Sequence, residues 1–86
     1  MGHQNYNGLR EKLADMDWPS FYMFKFIVPR TSEEEIFKIF NQEDIKTRLS
    51  RNGKYISITA YQYMNSEDDV IDVYEQASHV EGVISL

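Results

Sequence analysis

The sequence predicts an α+β fold, a four-stranded antiparallel sheet with two helices packed on one face. Three observations carry this. Segments rich in β-branched and aromatic residues, or alternating apolar with polar, lie at Ser20 to Val28, Ile45 to Arg51 and Lys54 to Met64. Two other stretches open on a serine with an acid three residues later, followed by apolar residues at helical spacing. Asn52-Gly53 joins two of the alternating runs, the strongest short signal for a hairpin.

The first strand, Ser20 to Val28, follows Trp18-Pro19, where proline holds its neighbour extended. Its alternate residues Tyr22, Phe24, Phe26 and Val28 oppose Phe21, Met23, Lys25 and Ile27. Both sets are largely apolar, as in a central strand, and Lys25 marks the second set as the more solvated. After Pro29, Ser32 and Glu35 have capping-box spacing, and Ile36, Ile39 and Phe40 form the stripe of a helix reaching about Gln42. Ile45 to Arg51 sets Ile45, Thr47 and Leu49 against Lys46, Arg48 and Ser50, a charged face that guards an edge strand. A type I′ turn at Asn52-Gly53 leads to Lys54–Met64, with Ile56, Ile58 and Ala60 on one side and Tyr55, Ser57, Thr59, Tyr61 and Tyr63 on the other. Ser66 and Asp69 start the second helix as Ser32 and Glu35 start the first, and Val70, Val73, Tyr74 and Ala77 are its buried stripe. Gly82 ends it, and Val83 to Leu86 is a short last strand. The order β-α-β-β-α-β is the ferredoxin-like sandwich, and right-handed crossovers give the sheet order 4-1-3-2.

Residues 1–17 read as an N-terminal arm before a domain at 18–86. Met1 to Gly8 is polar, Gly2-His3 reads equally as an expression remnant or a native start, and Leu9, Leu13 and Met16 recur at helical spacing. A short amphipathic turn docked on the domain is one reading; a frayed terminus is the plainer one.

Composition narrows the function. With 86 residues the chain is one domain, and ordering it costs roughly 130 kcal/mol, so nearly every apolar side chain is needed in the core. A net charge of −5 is opposite in sign to the footprint of a non-specific nucleic-acid binder. With no cysteine there is no disulfide, thiolate metal site or cysteine nucleophile. No apolar run reaches the ~18 residues of a membrane span, and no signal peptide opens the chain, so a cytoplasmic protein is expected.

The helix-free side of the sheet is the first candidate site, with Met23, Lys25, Tyr55, Tyr61 and Tyr63 as its leading residues. An exposed apolar face of this kind is best explained by a protein partner or a homodimer. Packing under the N-terminal arm and single-stranded RNA stacking are the alternatives. Gly53-Lys54-Tyr55-Ile56-Ser57-Ile58 does not supply the RNA-recognition pattern of a basic residue, glycine and aromatics in fixed order. The second candidate is the turn Arg30, Thr31, Ser32, a weak anion site at a helix start, crowded by Glu33 to Glu35 and lacking the glycines of an oxyanion cradle. The acidic triplets Glu33-Glu34-Glu35 and Glu67-Asp68-Asp69 fit first helical turns better than a metal. Of the two imidazoles, His79 is placed to cap carbonyls and His3 lies in the arm. No catalytic constellation is found, and neither a cofactor nor a metal is expected.

Trp18-Pro19-x-x-Tyr22-x-Phe24-Lys25-Phe26-Ile27-Val28-Pro29 resembles the first strand of the YbeD-like family of small bacterial proteins. Ser50-x-x-Gly53-x-Tyr55-x-Ser57 resembles that family's central hairpin, and the likeness covers roughly residues 17–86. It departs in a shorter first helix and an added N-terminal stretch. The resemblance implies a ferredoxin-like fold akin to ACT regulatory domains, hence a small regulatory or protein-interaction module that could bind a small molecule, such as an amino acid, between subunits. It brings no catalytic residues.

Overall fold

The computed structural model of the chain describes residues 6–40 and 44–86. Gly2-His3 and the helix end placed at Gln42 lie outside these. The elements are α1 (Asn7–Ala14), β1 (Ser20–Pro29), a 3₁₀ turn (Arg30–Ser32) running into α2 (Glu33–Phe37), β2 (Ile45–Leu49), β3 (Tyr55–Met64), α3 (Glu67–Ser78) and β4 (Ile84–Ser85). The sheet is antiparallel throughout, with order β2-β3-β1-β4, the order read from the pattern, and the fold is consistent with a ferredoxin-like one.

The central ladder fixes everything else. β1 and β3 pair over their full length, from Ser20 opposite Met64 to Pro29 opposite Tyr55. Because side chains alternate, this register puts Phe24, Phe26 and Val28 beside Ile58 and Ala60, all fully buried, with Ile56 nearly so. Val70, Val73 and Ala77 of α3, Ile36 of α2 and Leu13 of α1 close over them. Phe24, Phe26, Phe40 and Tyr74 form the aromatic centre, with ring centroids 5.4–6.4 Å apart across the Phe24–Phe26, Phe24–Phe40, Phe24–Tyr74, Phe26–Phe40 and Phe26–Tyr74 pairs. Burial pushes the Tyr74 phenol well above the ordinary tyrosine range, and its hydrogen bond with the Tyr22 hydroxyl, 3.3 Å away, adds to the shift.

Five local expectations are corrected. Three helices, not two, stand behind the sheet, because α1 is ordered: Leu13 is 1% exposed, Trp18 Nε1 donates to the Leu13 carbonyl at 3.2 Å, and Arg10 reaches Glu67 and Asp68 of α3 at 3.2 and 3.1 Å. One fully buried leucine is what turns a polar terminus into a docked helix. The two serines do not act alike. Ser66 Oγ accepts from the Asp69 N–H at 3.2 Å, whereas Ser32 makes no side-chain cap bond. β1 passes straight into the 3₁₀ turn, so Ser32 is already inside helical backbone and its side chain is buried. α2 is only five residues long, and Thr47 and Leu49, read as the inward residues of the edge strand, are exposed. The hairpin carries five loop residues, Ser50 to Lys54, instead of two. Its turn closes from Gly53 N–H to the Ser50 carbonyl at 3.0 Å, and positive φ is found at Gly53 (74°) and not at Asn52. Asn52 Oδ1 accepts from Lys54 N–H at 3.0 Å and Ser50 Oγ from Tyr55 N–H at 3.1 Å, and these side-chain bonds replace the type I′ geometry.

Gly82 closes the last turn before β4. Its φ is +78°, and a Cβ there would stand 2.7 Å from Pro29 Cγ, so only glycine lets the chain pass over the end of β1. No helix among the described residues is long and apolar enough to cross a membrane.

Candidate functional site

The residues that alternate with the core form the other face of the sheet, and no helix covers it. Register sets them in rows. Phe21 lies opposite Tyr63, Met23 opposite Tyr61, Lys25 opposite Thr59 and Ile27 opposite Ser57. On the outer strands Lys46 joins Thr59, Arg48 joins Ser57, and Ile84 joins Ile27. Met23, Lys25, Tyr55, Tyr61 and Tyr63 therefore share one surface, and the four apolar ones are 44–55% exposed. Phe21, at 61%, extends the same patch. Its ring meets that of Tyr63 edge to face, 5.1 Å between centroids at 66°.

Two depressions mark this surface. One of about 690 Å³ is lined by Phe21, Met23, Asp44, Lys46, Thr59 and Tyr61. A smaller one of about 310 Å³ includes Ile27, Arg48, Arg51, Tyr55 and Ser57. Lys25, Lys46 and Arg48, all exposed, form a cationic cluster on this face, with Lys46 lining the first depression and Arg48 the second. Sequence reading took Lys46 and Arg48 as guards of an edge strand. Only the β2–β3–β1 register reveals that Lys46 shares a row with Lys25, through Thr59, and that Arg48 stands in the next row, beside Ser57.

The turn Arg30, Thr31, Ser32 has a different geometry from a loop that cradles an anion. Arg30 Nε donates to Glu33 Oε1 at 3.0 Å, and the Arg30 backbone N–H donates to the Lys54 carbonyl at 3.0 Å. Thr31 is exposed and Ser32 is buried. His79 is the capping residue just after α3, and its Nε2 faces Glu75 Oε1 at 3.8 Å instead of the helix carbonyls. His3 lies outside the described residues. Both acidic triplets sit in first helical turns, at the ends of α2 and α3 where the helix dipole favours them. Among the described residues no three acidic or imidazole side chains gather as a metal site. A groove of about 500 Å³ separates α1 and α3 from β4, lined by Tyr6, Leu9, Tyr74, Val80 and Val83 among others. Burial and the neighbouring Glu75 carboxylate push the Tyr6 phenol there upward.

Fold and site together define an α+β sheet domain with a helical back and a bare aromatic front. The chain matches the model of the family described as Protein of unknown function (DUF493) over residues 14–86, most of its length, and belongs to that family. No curated protein and no solved structure matches it.

Proposed function

We propose that this chain is a non-enzymatic interaction module that engages another protein, or a second copy of itself, through the open face of its sheet. One observation carries the reading: Phe21, Met23, Tyr55, Tyr61, Tyr63 and Ile84 are each at least 44% exposed, and the register brings them to a single face. So many large apolar side chains cost solubility on a free monomer, and aromatic anchors of this kind commonly dominate binding energy. The resemblance to YbeD-like proteins, and through them to ACT domains, supports a regulatory role in the bacterial cytoplasm. The test is the double variant Tyr61→Ala, Tyr63→Ala, whose side chains are outside the core. It should keep the circular dichroism spectrum and thermal midpoint while losing self-association in sedimentation or partner capture in pull-down. Wild-type behaviour of the variant in both assays would refute the proposal.

A further inference from the structure

Charge is unevenly spread over this molecule: Arg10, Lys12, Arg30 and Lys38 stand among the acids of the helical layer, whereas the open face carries mainly cations. The net charge is −5, yet Lys25, Lys46 and Arg48 stand on the open face, with Arg51 and Lys54 in the hairpin at its end. The described acids gather elsewhere, with Glu33, Glu34, Glu35, Glu67, Asp68 and Asp69 all in the first turns of the helical layer. Among the described residues Asp44, beside Lys46, is the one carboxylate lining either depression of the face. None of the ion pairs of the described residues involves Lys25, Lys46 or Arg48. The helical layer is about 10 Å behind the sheet, and at physiological salt charges are screened over about 8 Å. A partner at the face therefore meets local positive charge, whatever the sign of the whole.

We infer that the open face binds an acidic segment of another protein, one that alternates carboxylates with aromatic or aliphatic anchors. The inference rests on the interaction reading above and adds the chemistry of the partner. Strands in a sheet are about 4.8 Å apart, so the backbones of Lys25 and Lys46, with Thr59 between them, are about 10 Å apart across the face and both carry ammonium-bearing side chains there. Apolar contacts flank this row on both sides, Phe21, Met23, Tyr61 and Tyr63 toward one end and Ile27, Tyr55 and Ile84 toward the other. A carboxylate-bearing segment crossing the sheet neutralises the row while its apolar residues fill the two depressions. A second copy is the poorer occupant. Face-to-face pairing about a two-fold axis close to these residues sets the cationic cluster of one copy against the same cluster of the other, where like charges repel. Single-stranded nucleic acid is also poorer, because the edge-to-face Phe21–Tyr63 pair does not offer two parallel platforms for successive bases.

The experiment selects binders to the full immobilised chain from a random 12-residue peptide library. Wild type, Lys46→Glu/Arg48→Glu and Tyr61→Ala/Tyr63→Ala are run in parallel, after thermal melts show that each variant folds. Wild type is expected to enrich peptides rich in Asp and Glu with aromatic or aliphatic residues between them. The charge-reversed variant should bind those peptides at least about tenfold more weakly, and added salt should weaken the wild-type complex. Enrichment of uncharged apolar peptides, lost in the tyrosine variant but indifferent to charge reversal, would overturn this inference and leave the interaction reading standing. No enrichment that depends on either pair of substitutions would overturn both. Binding of a uridine-rich oligonucleotide, abolished by Lys46→Glu/Arg48→Glu, would reassign the face to nucleic acid. A wild-type dimer in sedimentation that the tyrosine variant abolishes would reassign it to self-association.

Discussion

Replacing Leu13 with alanine tests whether the N-terminal helix belongs to the domain. Leu13 is 1% exposed and packs into the common core, although it lies outside the segment whose pattern defines the sheet and its helices. Truncating a buried leucine costs about 2–5 kcal/mol, according to how far the surroundings collapse into the space. α1 is eight residues long and borders the groove it shares with α3 and β4, so it can settle inward. We therefore expect the lower half of that range, about 2–3 kcal/mol. A domain of this size has a total stability near 5–10 kcal/mol, so this is a large share of it. With a urea slope of roughly 1–2 kcal/mol per molar, the unfolding midpoint should fall by about 1–3 M with the slope unchanged. Arg10→Ala is the control, since its ion pairs to Glu67 and Asp68 are exposed and the midpoint should barely move. A Leu13→Ala midpoint indistinguishable from that of Arg10→Ala would show that α1 does not pack on the domain.

Two further predictions concern the cap and the buried phenol. Ser66→Ala removes the bond to Asp69 N–H and should cost about 1 kcal/mol in thermal or urea melts; Ser32→Ala removes no cap bond, so an equal loss attributable to helix initiation there would contradict the geometry. Tyr74 has its folded pKa raised, while an unfolded tyrosine ionises near about 10. Below that pH both states hold the proton and stability does not depend on it. Above it the unfolded state releases the proton first, so stability falls as pH rises. Urea midpoints from pH 8 to 11 should decline for wild type and decline less for Tyr74→Phe; equal slopes would refute the assignment.

What could be read from the residues alone follows from how local each signal is. The two faces of β1 and β3 were legible because alternation has a period of two, and a slip of one residue would have put Phe24, Phe26, Ile56 and Ile58 in water. The tyrosine-bearing face followed from the same parity. Ser66 was legible as a cap because an extended residue does precede α3 there. Ser32 has the same spacing to Glu35, but the chain enters a 3₁₀ turn two residues earlier, and nothing in the spacing of Ser32 and Glu35 records where helical backbone begins. Asn52-Gly53 signals a turn, whereas the turn type depended on whether Ser50 and Asn52 used their side chains on the loop's own N–H groups. The alignment of Lys25 with Lys46 was least accessible, since it exists only after two ladders have been registered across three strands.

The long ladder between β1 and β3 also has a kinetic meaning. Its nearest partners, Pro29 and Tyr55, are 26 positions apart in the chain, and its farthest, Ser20 and Met64, are 44 apart. Zipping this pair requires closing a long loop before most of the apolar contacts exist, whereas the β2–β3 hairpin closes over five residues. The hairpin is the element that can form early, on the microsecond scale of such turns. We therefore expect capture of β1 into the middle of the sheet to set the rate of folding, and refolding slower than that of helical bundles of the same length.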